Sequence, residues 1–192
     1  MSEATYKASI LAASRGVYTG NFDVLSGAEA IFSAIRRGFE QAWREGAKEC
    51  GVLPDERTEA ETVVLNGLIG DNNQYVGNYI QFVFENRKTT ETSFEKIKAR
   101  AQLWVNRYQE VKAKAQSMAC TDKKLQWVID GGEHCRTCLK LNGRVARASA
   151  WAARDIYPRM VNGKLKCGGY NCKCTFRETD QPVTRGRWPN LP

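Results

Sequence analysis

The chain has a single histidine in 192 residues, His134, and that scarcity removes several chemistries at once. Nucleases of the HNH type need more imidazoles than this. A cysteine nucleophile would have only His134 as its base, and His134 adjoins Cys135, a placement from which the ring points elsewhere. A zinc deaminase requires H-x-E followed by P-C-x-x-C, whereas here Glu133 precedes His134 and no proline precedes Cys135. No phosphate-cradling or dinucleotide-type glycine loop is present. No apolar run approaches the roughly 20 residues of a membrane-spanning helix. The opening MSEATYKAS lacks the basic region and apolar block of a signal peptide. These absences argue against an enzyme, a small-molecule substrate, a membrane role and export, and lead us to expect a soluble cytoplasmic protein.

What is present is uneven. The 42% of hydrophobic residues is enough for a genuine core, and the length suits one domain or one domain with a small appendage. Net charge is +8, yet up to Asn86 there are 7 Lys+Arg against 12 Asp+Glu, a balance of −5, so the rest of the chain carries +13. A basic second half suits nucleic acid or an acidic protein surface, and equally a solubilising surface.

The first part, 1–120, reads as helices. Residues Ala4 to Ser14 form a short helix that Gly16, Gly20 and Asn21 should break. Ser26-Gly-Ala-Glu29 has capping-box spacing and precedes Phe32, Ile35, Phe39 and Trp43, an apolar series at spacings of three and four that Gly51 and Pro54 close. A second box, Thr58-Glu-Ala-Glu61, opens a series through Leu65, Leu68, Val76, Tyr79 or Ile80, and Val83. Gly67, Gly70 and Gly77 imply an interruption near Asp71–Asn73 or close packing on a neighbour. A third, Thr92-Ser-Phe-Glu95, opens the most regular helix, with Phe94, Ile97, Ala101, Trp104, Tyr108, Val111, Ala115 and Met118 on one stripe. Lys96, Arg100, Arg107, Lys112 and Lys114 are expected on its opposite, solvated face.

After Cys120 the pattern changes to short strands at Leu125–Ile129, Arg144–Arg147 and Thr175–Arg177, with one or two helical turns at Ser149–Arg154. Turns are expected at Asp130–Gly132 and Asn142-Gly143. From Asp180 the prolines and glycine predict a tail that is disordered or ordered only by contact. The expected fold is therefore α+β: a mainly helical body over 1–120, a small cysteine-rich α+β segment over 121–179, and a flexible tail over 180–192.

Five of the seven cysteines lie in that segment, as Cys135-Arg-Thr-Cys138 and Cys167-Gly-Gly-Tyr-Asn-Cys172-Lys-Cys174. Two thiols at C-x2-C spacing reach one ion from a tight turn, and a second group across a loop completes four tetrahedral ligands, which points to structural zinc. Cys135 and Cys138 are the firm pair. Cys167, Cys172 and Cys174 compete for two places; adjacent ligands in C-x-C are awkward on one ion, which favours Cys167 with Cys172 and leaves Cys174 in reserve. His134 is an outside candidate. Free buried thiols and disulfides are the alternatives, and Cys50 and Cys120, alone near helix ends, read as small buried hydrophobes. Arg136, Lys140, Lys166 and Lys173 flank the clusters and would ease a four-thiolate charge. With Arg144, Arg147 and Arg177 they are the candidate contacts for nucleic acid or an acidic partner.

One run of residues carries a resemblance. Trp127, then His134-Cys-Arg-Thr-Cys-Leu-Lys-Leu-Asn-Gly-Arg-Val145, Trp151, Tyr157-Pro158 and Leu165-Lys-Cys-Gly-Gly-Tyr-Asn-Cys-Lys-Cys174 together resemble the C-terminal part of phage head morphogenesis proteins, the Mu F-like minor head proteins of tailed phages. The likeness covers roughly Arg107 to Arg177. Cys135, Cys138, Cys172 and Cys174 match family positions, with Lys173 replacing the usual arginine. No histidine precedes Cys172 as it does in the family, and Cys167 at longer spacing takes its place. The resemblance implies a non-enzymatic, low-copy virion protein at the portal or capsid interior, assembled in the host cytoplasm into the head. It would contact portal, capsid or scaffold proteins, with packaged DNA as a further contact. The competing expectation is a free nucleic-acid-binding zinc protein, such as a phage regulator.

Overall fold

Helix α1 (Glu3–Thr19) begins where the Ser2 hydroxyl accepts the Thr5 N–H at 3.2 Å and ends where Gly20 adopts a left-handed φ of 81°. It runs past Gly16 rather than stopping there, because the missing side chain at that position makes room for the Phe22 ring. This is a computed structural model, and it describes residues 1–87, 91–170 and 172–192, with the helical backbone of 91–93. Its described residues are mainly α-helical, with a cysteine-rich C-terminal part of mixed helix and sheet, as the pattern of residues led us to expect.

Helix α2 (Val24–Lys48) starts upstream of the expected Ser26 box: Asp23 Oδ1 accepts the Ser26 N–H at 2.7 Å and caps the first turn. Ile35, Phe39 and Trp43 are buried on it, but Phe32 is exposed and Ile31 takes its place inside. The Thr58 box does form. Thr58 N–H donates to the Glu61 carboxylate at 2.8 Å and the Thr58 hydroxyl accepts the Glu61 N–H at 3.2 Å, opening α3 (Glu59–Asn73). The expected interruption falls at Gln74–Tyr75, after which α4 (Val76–Glu85) continues. Among the described residues no group lies close to where a side chain on Gly67, Gly70 or Gly77 would sit, so the break, not tight packing, accompanies those glycines. The Thr92 box lies outside the described side chains.

Helix α5 (Glu91–Ala119) buries the predicted stripe from Phe94 to Ala115, with Met118 half-buried. Its opposite face is not uniformly solvated. Lys96 and Arg100 are exposed, but Arg107 and Lys114 are buried and Lys112 pairs with Glu49 at 2.6 Å.

The described chain forms two compact units, Met1–Ala42 with Thr62–Tyr108, and Trp43–Glu61 with Gln109–Pro192. In the first, Tyr6 packs on Phe39 and Tyr108 with ring centroids 6.2 and 5.8 Å apart and donates its hydroxyl proton to the Trp104 carbonyl at 3.3 Å. The Ser14 and Tyr79 hydroxyls meet at 2.7 Å.

The second unit contains a three-stranded antiparallel sheet in the order β2-β1-β3, from β1 (Lys124–Val128), β2 (Val145–Arg147) and β3 (Thr175–Glu178). Thr175 to Arg177 thus returns beside the first strand, as expected. Two short helices, α6 (Arg136–Leu141) and α7 (Ala148–Ala152), lie in the chain between β1 and β3. The core of this unit is an aromatic nest: Trp127, Trp151 and Phe176 pack with centroids 5.2 to 6.0 Å apart, and the Trp151 N–H donates to the Leu125 carbonyl at 3.1 Å. Gly46 on α2 permits close approach to the Lys112 carbonyl and Ala115 of α5. Just beyond that approach, Cys50 and Cys120 are joined in a disulfide with Cα atoms 4.9 Å apart. This corrects their reading as unpaired buried hydrophobes: two helix ends that run this close leave the thiols facing each other.

The tail is ordered by contact. Thr184 N–H donates to the Val145 carbonyl and its hydroxyl accepts the Val145 N–H, both at 2.9 Å. Trp188 then stacks edge-on against Trp151 at 4.7 Å, and Arg144 and Arg154 lie over its ring. The Pro- and Gly-rich composition had hidden one aromatic anchor.

Lys114, mostly buried, donates to Asp155 at 2.7 Å, and Asn162 donates to the same carboxylate at 2.7 Å. Desolvation raises the Asp155 carboxyl, but these donors outweigh it and hold its pKa below the ordinary value. Asp155→Asn should therefore lower stability by about 1 kcal/mol at neutral pH, modest because the carboxylate is half exposed. A group with a depressed folded pKa contributes above its unfolded pKa and loses that contribution as pH falls through the folded value. Denaturation of both proteins across pH should show the gap closing in acid; a gap that is constant or widens would contradict the assignment.

Candidate metal centre

The first cysteine pair is placed by a helix start rather than by the tight turn that was expected. Cys135 has extended backbone, φ −71° and ψ 158°, and is the N-cap of α6: its sulfur accepts the Cys138 N–H at 3.5 Å, and the two sulfurs are also 3.5 Å apart. One helical turn therefore turns C-x2-C into a pair of sulfurs on one face. Thr137, buried between them, accepts the Lys166 N–H at 3.3 Å and so ties this helix to the residue preceding Cys167.

The second group is placed by glycine. Gly168 and Gly169 hold φ of 64° and 80°, in the left-handed region that other residues avoid. A side chain on Gly169 would strike the carbonyls of Arg159 and Met160. Folded back this way, the loop returns the Cys172 N–H to the Gly169 carbonyl at 3.2 Å. Arg159, itself at φ 64°, donates from Nε to the Cys174 carbonyl at 3.4 Å, and β3 begins immediately afterwards.

These devices bring all five cysteines together. Cys135, Cys138 and Cys167 form one set whose sulfurs lie within 4.8 Å of one another, and Cys138, Cys172 and Cys174 form another. Cys138 and Cys172 are 3.8 Å apart. Cys138, Cys172 and Cys174 are buried, while Cys135 and Cys167 are half-buried. Zn–S bonds of about 2.3 Å in a tetrahedron put sulfurs about 3.8 Å apart, so the observed separations suit a metal ion on thiolates. The cluster can hold a metal. Cys138 belongs to both sets, and Cys174, expected only in reserve, belongs to the second with Cys172. His134 Nδ1 lies 4.0 Å from Cys174 Sγ.

The thiols perturb one another strongly. Hydrogen bonds from Cys138 and Cys174 drive Cys172 far toward the thiolate against the desolvation of its site, while the same contacts keep the proton on Cys138. At Cys135 desolvation is outweighed by donation from Cys138 and Cys167, which brings the thiol down to about 7. Donation from Cys138 favours the Cys174 thiolate, but its contact with Cys172 and desolvation outweigh this and push Cys174 up to about 12; the Trp127 indole N–H, buried with no ordinary hydrogen-bond partner among the described residues, lies against Cys174 and opposes the rise only weakly.

The basic residues divide. Arg136, Lys140 and Lys166 are exposed and line an open cleft of about 530 Å³ with His134, Cys135, Thr137 and Asn190 to Pro192. Lys140 also donates to the Asn190 carbonyl at 3.2 Å. Lys173 and Arg177 are exposed. Arg144 is turned inward to the Gly186 and Arg187 carbonyls and the Trp188 ring, and Arg147 donates to the Asp122 carbonyl. Residue patterns alone did not single out Thr137, Arg159 or the Gly168-Gly169 pair as builders of the site; the adjacent glycines inside C-x4-C were the available signal. No family model, no curated protein and no solved structure matches this chain.

Exposure sets an order of reactivity. In metal-free, non-reduced protein, iodoacetamide should modify Cys135 and Cys167 first, Cys138, Cys172 and Cys174 several-fold more slowly, and Cys50 and Cys120 not at all, read by peptide mass mapping. Added Zn2+ should protect all five free thiols. Zinc-insensitive labelling of Cys138 would contradict a metal centre here.

Proposed function

We propose that this chain is a minor head protein of a tailed phage, a non-enzymatic virion component that acts at the portal or capsid interior and whose cysteine-rich unit is held by structural zinc. The observation that carries the reading is the convergence of Cys135, Cys138, Cys172 and Cys174, the four positions that match the head morphogenesis pattern, on one cluster with Cys167. Residues that make up a resemblance by spacing alone need not meet in space. These do, and the aromatic positions of the same resemblance, Trp127 and Trp151, form the core beneath them.

Zinc is the ion the donors suit. Thiolates favour soft and borderline ions, and zinc makes closed tetrahedral sites without redox chemistry. When bound, it would supply a cross-link rather than catalysis. Four of Cys135, Cys138, Cys167, Cys172 and Cys174 would hold it, while Thr137 and the glycine pair keep the two cysteine segments in register.

The protein is then assembled in the host cytoplasm and resides in the head, with portal, capsid or scaffold proteins as partners. Contact with packaged DNA is supported by the cations of the cleft, Arg136, Lys140 and Lys166. Arg144 and Arg147, occupied within the chain, are weaker contributors.

Co-expression with the portal, scaffold and capsid proteins encoded in the same genome tests the assignment. The chain should co-sediment with assembled heads or with portal on gradients, and Cys172→Ser should reduce its incorporation at least tenfold. Failure to co-sediment, together with salt-steep duplex DNA binding by the isolated chain, would instead favour the regulator.

A further inference from the structure

We infer that the cluster binds two metal ions that share the Cys138 sulfur. The inference rests on the zinc reading above and goes beyond it, since that reading needs only one ion.

One tetrahedral ion requires four donors that are all mutual neighbours. The sulfurs instead form two triads, Cys135 with Cys138 and Cys167, and Cys138 with Cys172 and Cys174, and among the described residues no four lie within 4.8 Å of one another. Cys138 is the common member, 3.5 Å from Cys135 on one side and 3.8 Å from Cys172 on the other. A thiolate has lone pairs enough for two ions. Cys138 is also the most deeply set residue of its pair, 1% exposed, where a bridging sulfur is shielded from solvent.

The remaining donors divide between the triads. His134 Nδ1 stands 4.0 Å from Cys174 Sγ but not within 4.8 Å of all three sulfurs, so it completes the Cys138–Cys172–Cys174 ion only by turning toward it, and water otherwise fills that position. The other triad reaches the open cleft through Cys135, so its fourth position is available to water or to a side chain brought by a partner.

Charge favours two ions as well. Five thiolates with two divalent cations leave one net negative charge. One ion on four thiolates leaves two, and strands the fifth cysteine. Both Cys172 and Cys174 are buried, and the Trp127 indole N–H, with no ordinary hydrogen-bond partner among the described residues, lies against Cys174. A metal-bound thiolate at Cys174 gives that N–H a charged acceptor, in the way that outer groups orient metal ligands.

Native mass spectrometry and elemental analysis of the full chain, loaded with Zn2+, should give two ions per chain. The 113Cd-substituted protein should show two resonances in the thiolate range, each split by the other through the shared sulfur. Cys167→Ser and Cys174→Ser should each keep one ion, whereas Cys138→Ser should lose at least one and all splitting. The spectrum of the unmodified chain keeps the test valid if a variant does not fold. A plateau at one ion, or two unsplit resonances, overturns the shared sulfur while leaving the structural zinc reading intact. No bound metal removes both.

Discussion

Two cysteine segments well separated along the chain must place their sulfurs within a few ångströms of one another, three of them buried and two half-buried, and most of the second unit is arranged to meet that demand. A helix start sets Cys135 and Cys138 on one side. Two left-handed glycines return Cys167 and Cys172 on the other. The strand that leaves Cys174 pairs at once with β1 and carries Phe176 into the aromatic nest. Without an ion, thiols at this spacing share protons and cannot all ionise together; a cation converts the same proximity into attraction.

The unit is not held by the cluster alone. Short strands and many turns suggest too little apolar surface for a stable core, and by residue count that is a fair reading. Its few large side chains are concentrated, however, and the tail adds Trp188 to them. The residues Trp43–Glu61 and Gln109–Ala119 belong to the same unit, so its core is larger than the cysteine-rich segment by itself. The Cys50–Cys120 disulfide adds a covalent tie there, a different use of cysteine from the free thiols of the cluster.

Much of the fold was legible because it rests on periodicity. The stripe of α5 and the three strands follow from apolar spacing, and the Thr58 box was readable from residue types alone. Errors arose where tertiary contact overrode local preference. Gly16 stays helical because Phe22 uses the space it leaves, and Asp23 outcompetes Ser26 as a cap because its carboxylate reaches the Ser26 N–H. Lys114 and Arg107 look like solvated residues until their surroundings are known. At the site, residue type identified the ligands but not their grouping. Which sulfur is central depends on how α6 and the glycine loop meet, and no spacing rule carries that.

The central claim is that metal on these thiols holds the second unit's sheet together. Hydrogen exchange of the zinc-loaded chain, before and after chelation, tests it directly, provided the Cys50–Cys120 disulfide is left intact. Chelation should strip protection from Lys124–Val128, Val145–Arg147 and Thr175–Glu178 while Glu3–Thr19 and Val76–Glu85 keep theirs. Strands that stay equally protected without metal would contradict the account, leaving the aromatic nest and the disulfide as sufficient and the thiols as passengers in the core.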